Sequence, residues 1–152
     1  MLVYFDTEFT DFAEDAKLIS IGLVAETGET FYAELSDTYT VDDCSDFVIE
    51  HVLPQLDGGK ALMTFTELKT RLYNWLEARG EPVTLATDSP PWDWHFVRML
   101  LGETYPSNLR KTSNMIDIPK HLAYSGADIN MHHALKDAEL LCNRNVNSKN
   151  DL

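Results

Sequence analysis

The chain has 152 residues, of which 44% are apolar and 24% charged, so a disordered chain is excluded and one domain with a buried core is expected. No apolar stretch approaches the roughly 18 residues that a membrane-spanning helix needs, so we expect no membrane association. The formal net charge is −13, and it lies within residues 1–59, which hold one base and 14 acids; this excludes a basic nucleic-acid surface over the whole chain, so a polyanion must be held by a local patch or by bound cations.

The N-terminus and the cysteines bear on the cellular compartment. The first residues, MLVYFDTEF, have no basic start and reach an acid at Asp6, so we expect no secretory signal. Cys44 and Cys142 lie far apart and form no CxxC pair, so we expect a cytoplasmic protein without a zinc site. We predict a single domain over residues 1–145 and a short polar tail over 146–152.

Three strands open the predicted fold, over residues 2–7, 17–26 and 29–35, with Thr27-Gly28 as the turn of a hairpin. The second strand should be central and covered on both sides, because both of its faces are apolar or small. Its predicted faces are Ile19, Ile21 and Leu23 on one side and Leu18, Ser20, Gly22 and Val24 on the other.

Helices and strands alternate in the rest of the chain. Helices are predicted over 42–53, over 64–79 with a capping box from Thr64 to Glu67, over 92–101 after a turn at Pro90-Pro91, over 119–124 and over 132–144. A fourth strand is predicted over 82–87, and residues 106–115 are irregular and polar. This order predicts an α/β fold with a mixed sheet, in which three antiparallel strands come first and parallel strands follow, with helices on both faces.

Asp6 and Glu8 form the first candidate site. Residues two apart on a strand point to the same face, so both carboxylates should project together at the end of the first strand. At about 4 Å they would repel by roughly 4 kcal/mol at an effective dielectric of 20, which favours a compensating cation. Hard oxygen ligands indicate Mg²⁺ or Mn²⁺. The alternative is an exposed strand end with two solvated acids.

The segment from His132 to Ala138 is the second candidate, because it places imidazoles and a carboxylate at the start of a helix. Helix geometry pairs His133 with Asp137, four residues apart on one face. His132 can reach the same site only from the loop before the first turn. The residues by themselves leave the choice between the two histidines open.

The third candidate lies in the stretch LATDSPPWDWHFVRML, where Asp88 or Asp93 could add a further carboxylate beside a strand end. Trp92 and Trp94 flank Asp93 and could stack on unpaired bases, which is worth roughly 1–3 kcal/mol per base. The alternative is that both tryptophans are core residues.

Taken in order, these motifs resemble the DEDDh 3′–5′ exonucleases of the RNase H-like superfamily, and most of all its small mycobacterial-type 3′–5′ exoribonuclease family. That family has a YDTEF start, a LISIG second strand, an HVLP helix end, an aromatic residue before the third acid and an HxAxxDA finish. This chain carries the matching segments between residues 4 and 138: FDTEF at 5–9, LISIG at 18–22, HVLP at 51–54, Trp92-Asp93 and His132 to Ala138.

The resemblance implies a role for each matched residue. It makes Asp6, Glu8, Asp93 and Asp137 the metal ligands, prefers Asp93 over Asp88, and makes His132 rather than His133 the general base. Residues beside these motifs become the substrate contacts: Thr7, Phe9, Trp92, Trp94 and Arg98. The chain departs from the family where Asp88-Ser-Pro-Pro replaces a small or aromatic stretch, and in its short tail after Asp137.

The implied activity is hydrolysis of single-stranded 3′ ends, of RNA and alternatively of DNA, with release of nucleoside 5′-monophosphates. Two Mg²⁺ or Mn²⁺ ions per site would offset the acids and bind the scissile phosphate, while His132 takes a proton from the attacking water. Arg98, Arg110, Lys111 and Lys120 could hold the RNA backbone. The resemblance also implies a homodimer as one possible assembly.

Two other functions compete with this one. A DNA-preferring or oligonucleotide-limited nuclease would carry the same motifs, since the contact to a 2′-hydroxyl cannot be read from them. An inactive binding protein whose acidic first part mimics a nucleic-acid backbone is of another class, and it has no need for the ordered acids and histidine.

Overall fold

A mixed six-stranded sheet forms the centre of the computed structural model, which describes residues 1–102, 104–110, 116–117 and 131–150. The strands are β1 (Leu2–Phe9), β2 (Leu18–Ala25), β3 (Thr30–Leu35), β4 (Leu62–Met63), β5 (Thr84–Thr87) and β6 (Ile116–Asp117), and their spatial order is β4-β3-β2-β1-β5-β6. The first three strands pair antiparallel, whereas β4, β5 and β6 each join a parallel partner. The predicted fold class is confirmed.

Within the described ranges, four helices pack on this sheet: α1 (Asp46–His51), α2 (Phe65–Glu77), α3 (Pro90–Leu101) and α4 (Ala134–Asn150). Buried side chains of α2 and α3 join the larger core cluster with Val3, Phe5, Ile21 and Leu23 on one face of the sheet. On the other face, Ala138 and Leu141 of α4 pack against Tyr4, Val24 and Ala86. Every residue of β2 is buried, as expected for a strand covered on both sides. No helix in the described ranges is both long and apolar enough to cross a bilayer.

A bulge changes the predicted faces of β2. Glu8 pairs with Ser20 but Phe9 pairs with Leu18, so Ile19 is the extra residue on its strand. As a result, Leu18 joins the cluster of Ile21 and Leu23, while Ile19 packs in a separate cluster with Val48 and Val52 of the α1 segment. The strict alternation expected from sequence was wrong here, because an inserted residue shifts every following side chain.

Two helical predictions need correction. Residues 42–53 do not form one helix, because short 3₁₀ turns at Val41–Asp43 and Leu53–Gln55 flank α1. Pro90-Pro91 is not a turn before a helix, because α3 begins at Pro90. Proline fits the first helical turn, where its missing N–H has no partner to lose.

The remaining differences between the predicted and the observed elements are element ends and two short additional strands. Thr64 caps α2 by accepting a hydrogen bond from the Glu67 amide, as the capping box predicts. Two short strands, β4 and β6, were not predicted, and α4 continues through 146–150, part of the segment expected to be a polar tail. The helix predicted over 119–124, together with Lys111 and Lys120, lies outside the described residues.

Candidate metal centre and nuclease site

The carboxylates predicted from sequence meet at one end of the sheet. A cavity of about 480 Å³ opens there, and besides the exposed Asp11 its wall contains five acids: Asp6, Glu8, Asp88, Asp93 and Asp137. All five are buried, with between 0% and 9% of their surface exposed. Strand β1 supplies the first two, the end of β5 and the first turn of α3 supply the next two, and α4 supplies the last.

Asp6 is common to two groups of acids. One oxygen from each of Asp6, Glu8 and Asp137 can be chosen so that all three lie within 4.8 Å of one another. The same is true of Asp6, Asp88 and Asp93. Carboxylate oxygens gathered at this distance are the donors that Mg²⁺ and Mn²⁺ prefer, so the residues fit a divalent cation.

The protonation of the acids reflects this crowding. Burial, followed by the charges of Asp93 and Glu8, raises the pKa of Asp6 well above its ordinary value. Burial and the charge of Asp137 raise the pKa of Glu8 in the same direction. Burial raises the pKa of Asp93 to about 7. Desolvated like charges disfavour ionisation, so the metal-free site holds protons that a cation would displace.

Two hydroxyl groups hold the Asp93 carboxylate in place. Thr7 donates a hydrogen bond of 2.6 Å to Oδ1, and Thr87 donates to Oδ2. These bonds favour the ionised form and partly oppose the effect of burial on the pKa of Asp93. Thr7, expected to contact substrate, therefore orients a carboxylate in the wall of the cavity.

The two neighbouring histidines occupy different environments. His132 lies in the loop before α4, with a φ of 79°, and its amide donates a 2.8 Å hydrogen bond to Oδ2 of Asp137. His132 is among the residues that line the cavity, and its ring meets that of Phe47 at a centroid distance of 4.9 Å. Burial, with a contribution from His51, lowers the pKa of His132, which favours the neutral imidazole.

The other histidine, His133, is buried away from the acids. Its ring stacks on Tyr32 with a centroid distance of 4.6 Å, and Nε2 lies 3.3 Å from Oδ1 of Asp57. The pairing of His133 with Asp137 that helix geometry favoured is not formed through the ring. The backbone explains this, because the helix starts only at Ala134 and the loop turns the two rings in different directions.

Some of the expected substrate contacts lie at the cavity, and others lie away from it. Phe9 lines the cavity, and Trp92 stacks on it at 5.2 Å with an interplanar angle of 17°. Trp94 instead belongs to the core, where its ring meets Phe5 edge-on at 4.9 Å. Arg98 is exposed on α3 and is not among the residues lining this cavity.

Sequence reasoning did not assign several residues of the cavity wall. Phe12 is 72% exposed at its edge, and Phe47, Val48 and Val52 come from the α1 segment. The sequence indicated Phe12 only indirectly, because this residue lies four positions after Glu8 of the FDTEF motif. Val52 lies in the HVLP segment, but that motif assigned it no role in a site. Phe47 and Val48 gave no signal, because the Ile19 bulge and the contacts of α1 with β2 exist only in the folded chain.

Known proteins resemble this arrangement in sequence and in fold. Two proteins named 3′–5′ exoribonuclease, from Mycobacterium tuberculosis strains CDC 1551 and H37Rv, are each 41% identical to this chain over 56 residues. That segment is 37% of this chain and 33% of theirs, so the match spans about one third of the relatives' length. No protein-family model matches the sequence.

A solved structure extends the likeness to the whole chain. Exonuclease I from Methylocaldum szegediense superimposes with a TM-score of 0.62 at 15% identity, covering 97% of this chain and 40% of its own. The chain therefore shares the fold of this exonuclease. In this chain the acids of β1, α3 and α4 converge at one end of the sheet. The resemblance to 3′–5′ exonucleases predicted from the motifs is confirmed by these relatives.

Proposed function

We propose that this protein is a metal-dependent 3′–5′ exonuclease that trims single-stranded RNA and releases nucleoside 5′-monophosphates. The observation that carries the proposal is the position of Asp6, which lies within ligand distance of two groups of buried acids in one cavity. The names of the mycobacterial relatives support the direction of cleavage and the choice of RNA.

The acids Asp6, Glu8, Asp93 and Asp137 would hold Mg²⁺ or Mn²⁺. Bound divalent cations polarise a scissile phosphate and lower the pKa of a bound water. Burial supports this role, because buried carboxylates are rarely stable without a counter-ion. Binding two divalent cations would also bring a site of four acids near neutrality, which lets an acidic protein accept an anionic chain.

His132 is the proposed general base. His132 lines the cavity that holds the acids, and its lowered pKa favours the neutral imidazole, whose free nitrogen can accept the proton of the attacking water. The hydrogen bond from the His132 amide to Asp137 ties the loop to a proposed metal ligand. This bond therefore holds the backbone of the proposed base, His132, next to the proposed ligand, Asp137.

Aromatic side chains beside the acids would receive the terminal bases. Phe9, Phe12 and Phe47 lie in the cavity wall, and Trp92 supports Phe9 from behind. Stacking on aromatic rings holds unpaired bases without a sequence code, which fits an enzyme that removes nucleotides one at a time. A homodimer stays a prediction, as does a cytoplasmic location.

The test is digestion of single-stranded RNA labelled at its 5′ end, with Mg²⁺, with Mn²⁺ and with EDTA. We expect a ladder that shortens from the 3′ end, nucleoside 5′-monophosphate as the product, and no reaction in EDTA. A matched single-stranded DNA and a dinucleotide run beside it distinguish the RNA enzyme from its two nuclease alternatives. Cleavage inside the RNA, or trimming that survives EDTA, would contradict the proposal.

A further inference from the structure

The end of β5 carries a carboxylate that aligns with the centre of the site. In the parallel ladder between β1 and β5, Tyr4 pairs with Ala86. Asp6, inside β1, and Asp88, one residue beyond β5, each lie two residues past this pair, so a continued register would bring them to the same level and the same face. Asp88 is 4% exposed and lines the cavity.

The five acids divide into two sets of three donors. One set is Asp6 with Glu8 and Asp137, and the other is Asp6 with Asp88 and Asp93. In the second set Asp93 has no exposed surface, and each of its oxygens already accepts a threonine hydroxyl. Asp88 directly follows β5 and also lines the cavity, where it supplies the third carboxylate of that set.

We propose that Asp88 is a direct ligand of the second cation, so that the protein holds both cations before any nucleic acid binds. The inference rests on the proposed function, which assigns four acids to the metals and leaves Asp88 without a role. With Asp88 each position is lined by three carboxylates, of which Asp6 is common to both. The phosphate of the substrate is then not needed to complete the second position.

Isothermal titration of the metal-free protein with Mn²⁺, without nucleic acid, tests this inference. The wild-type protein should bind two ions per chain. Asp88→Asn should keep one ion and bind the second at least about tenfold more weakly, the loss seen even for outer partners of metal ligands. The matched control is Asp11→Asn, an exposed acid in the same cavity wall, which should titrate like the wild type.

A second variant separates direct ligation from a structural effect. Asp88→Cys replaces an oxygen donor with a thiolate, which favours Cd²⁺ over Mn²⁺. At the second position the preference for Cd²⁺ should rise at least about tenfold over that of the wild type, which also contains Cys44 and Cys142. Circular dichroism in EDTA checks that both variants fold.

The outcomes are distinct. One Mn²⁺ per wild-type chain, or unchanged binding in Asp88→Asn, would overturn the role of Asp88, as would Asp88→Cys without a change in metal preference. RNA digestion by the wild-type protein is measured separately. If RNA is not digested while Asp88→Asn loses its second ion, the metal site stands and the proposed function fails.

Discussion

At the scale of single residues, Asp6 combines burial with close contact to other carboxylates. It is buried, it belongs to both groups of acids, and the pKa of its carboxyl is raised well above the ordinary range by burial and by neighbouring charges. Such a side chain lowers the stability of the metal-free fold whenever it is ionised. The same arrangement becomes favourable when a divalent cation binds between the carboxylates. The repulsion that destabilises the metal-free protein is then relieved, which favours binding of the cation.

We therefore predict opposite effects of Asp6→Asn on activity and on stability. RNA trimming should fall below about one hundredth of the wild-type rate, because a ligand common to both groups is lost. The melting temperature in EDTA should rise, because the amide removes a buried charge. The exposed Asp15→Asn serves as the control and should change neither property. Normal turnover by Asp6→Asn would remove this residue from the site.

The two histidines give a second residue-scale prediction. His132→Ala should reduce the trimming rate by roughly 10² to 10⁴, the usual range for a general base, with little change in melting temperature. His133→Ala should instead lower the melting temperature, because the ring is buried against Tyr32 and beside Asp57, and should keep most of the rate below that temperature. Rate constants and melting curves of both variants check this, and the reverse pattern would reassign the base.

At the scale of elements, the contact between β2 and α4 fixes the position of Asp137. A Cβ added at Gly22 would lie 2.4 Å from the backbone N and Cα of Leu135 and 2.5 Å from the carbonyl carbon of Ala134. Only a residue without a side chain lets the first turn of α4 approach the sheet this closely. That turn carries Asp137 and follows directly from the loop of His132.

Gly22→Ala should therefore damage the site through the backbone. The methyl group must push α4 away from β2, which we expect to cost about 1–3 kcal/mol of unfolding free energy, as overpacking in a core usually does. The affinity for Mn²⁺ should fall as well, because Asp137 moves with the helix. Thr30→Ala, on the exposed end of β3, is the control. Unchanged melting and metal binding would show that the helix is not seated as described.

At the scale of the whole molecule, stability should depend on pH and on metal together. Asp6, Glu8 and Asp93 have raised pKa values in the fold, that of Asp93 being about 7, against roughly 3.9 for Asp and 4.3 for Glu in the unfolded chain. Below pH 4 these groups are protonated in both states and cost nothing. As the pH rises from about 4, the unfolded chain releases these protons while the folded protein retains them, so stability is lost until the pH passes the raised pKa of each group.

In EDTA the melting temperature should fall by at least about 5 °C between pH 5.5 and pH 7.5. The exposed acids with lowered pKa values, Glu29, Asp43 and Glu77, lose their contribution only at more acidic pH, so they do not affect this window. Excess Mn²⁺ should reverse most of the fall at pH 7.5 by mass action. A melting temperature that is flat with pH and indifferent to Mn²⁺ would contradict the metal centre.

Elements whose causes are local could be predicted from the amino-acid sequence. The alternation of β1 put Asp6 and Glu8 on one face, the apolar and small residues of β2 predicted a strand covered on both sides, and Thr64 with Glu67 marked the start of α2. These features depend on neighbouring residues, whose distances in space follow from their spacing along the chain.

Features that join distant segments depend on contacts that form only in the folded chain. The two-residue strands β4 and β6 exist because partners in β3 and β5 supply their hydrogen bonds, and the Ile19 bulge is defined by its register with β1. Trp94 and Trp92 are two residues apart, yet the first packs in the core and the second supports the cavity wall. Asp88 lies beside the other acids because of the register of β5 against β1. The distance between two strands cannot be calculated from the spacing of residues along the chain.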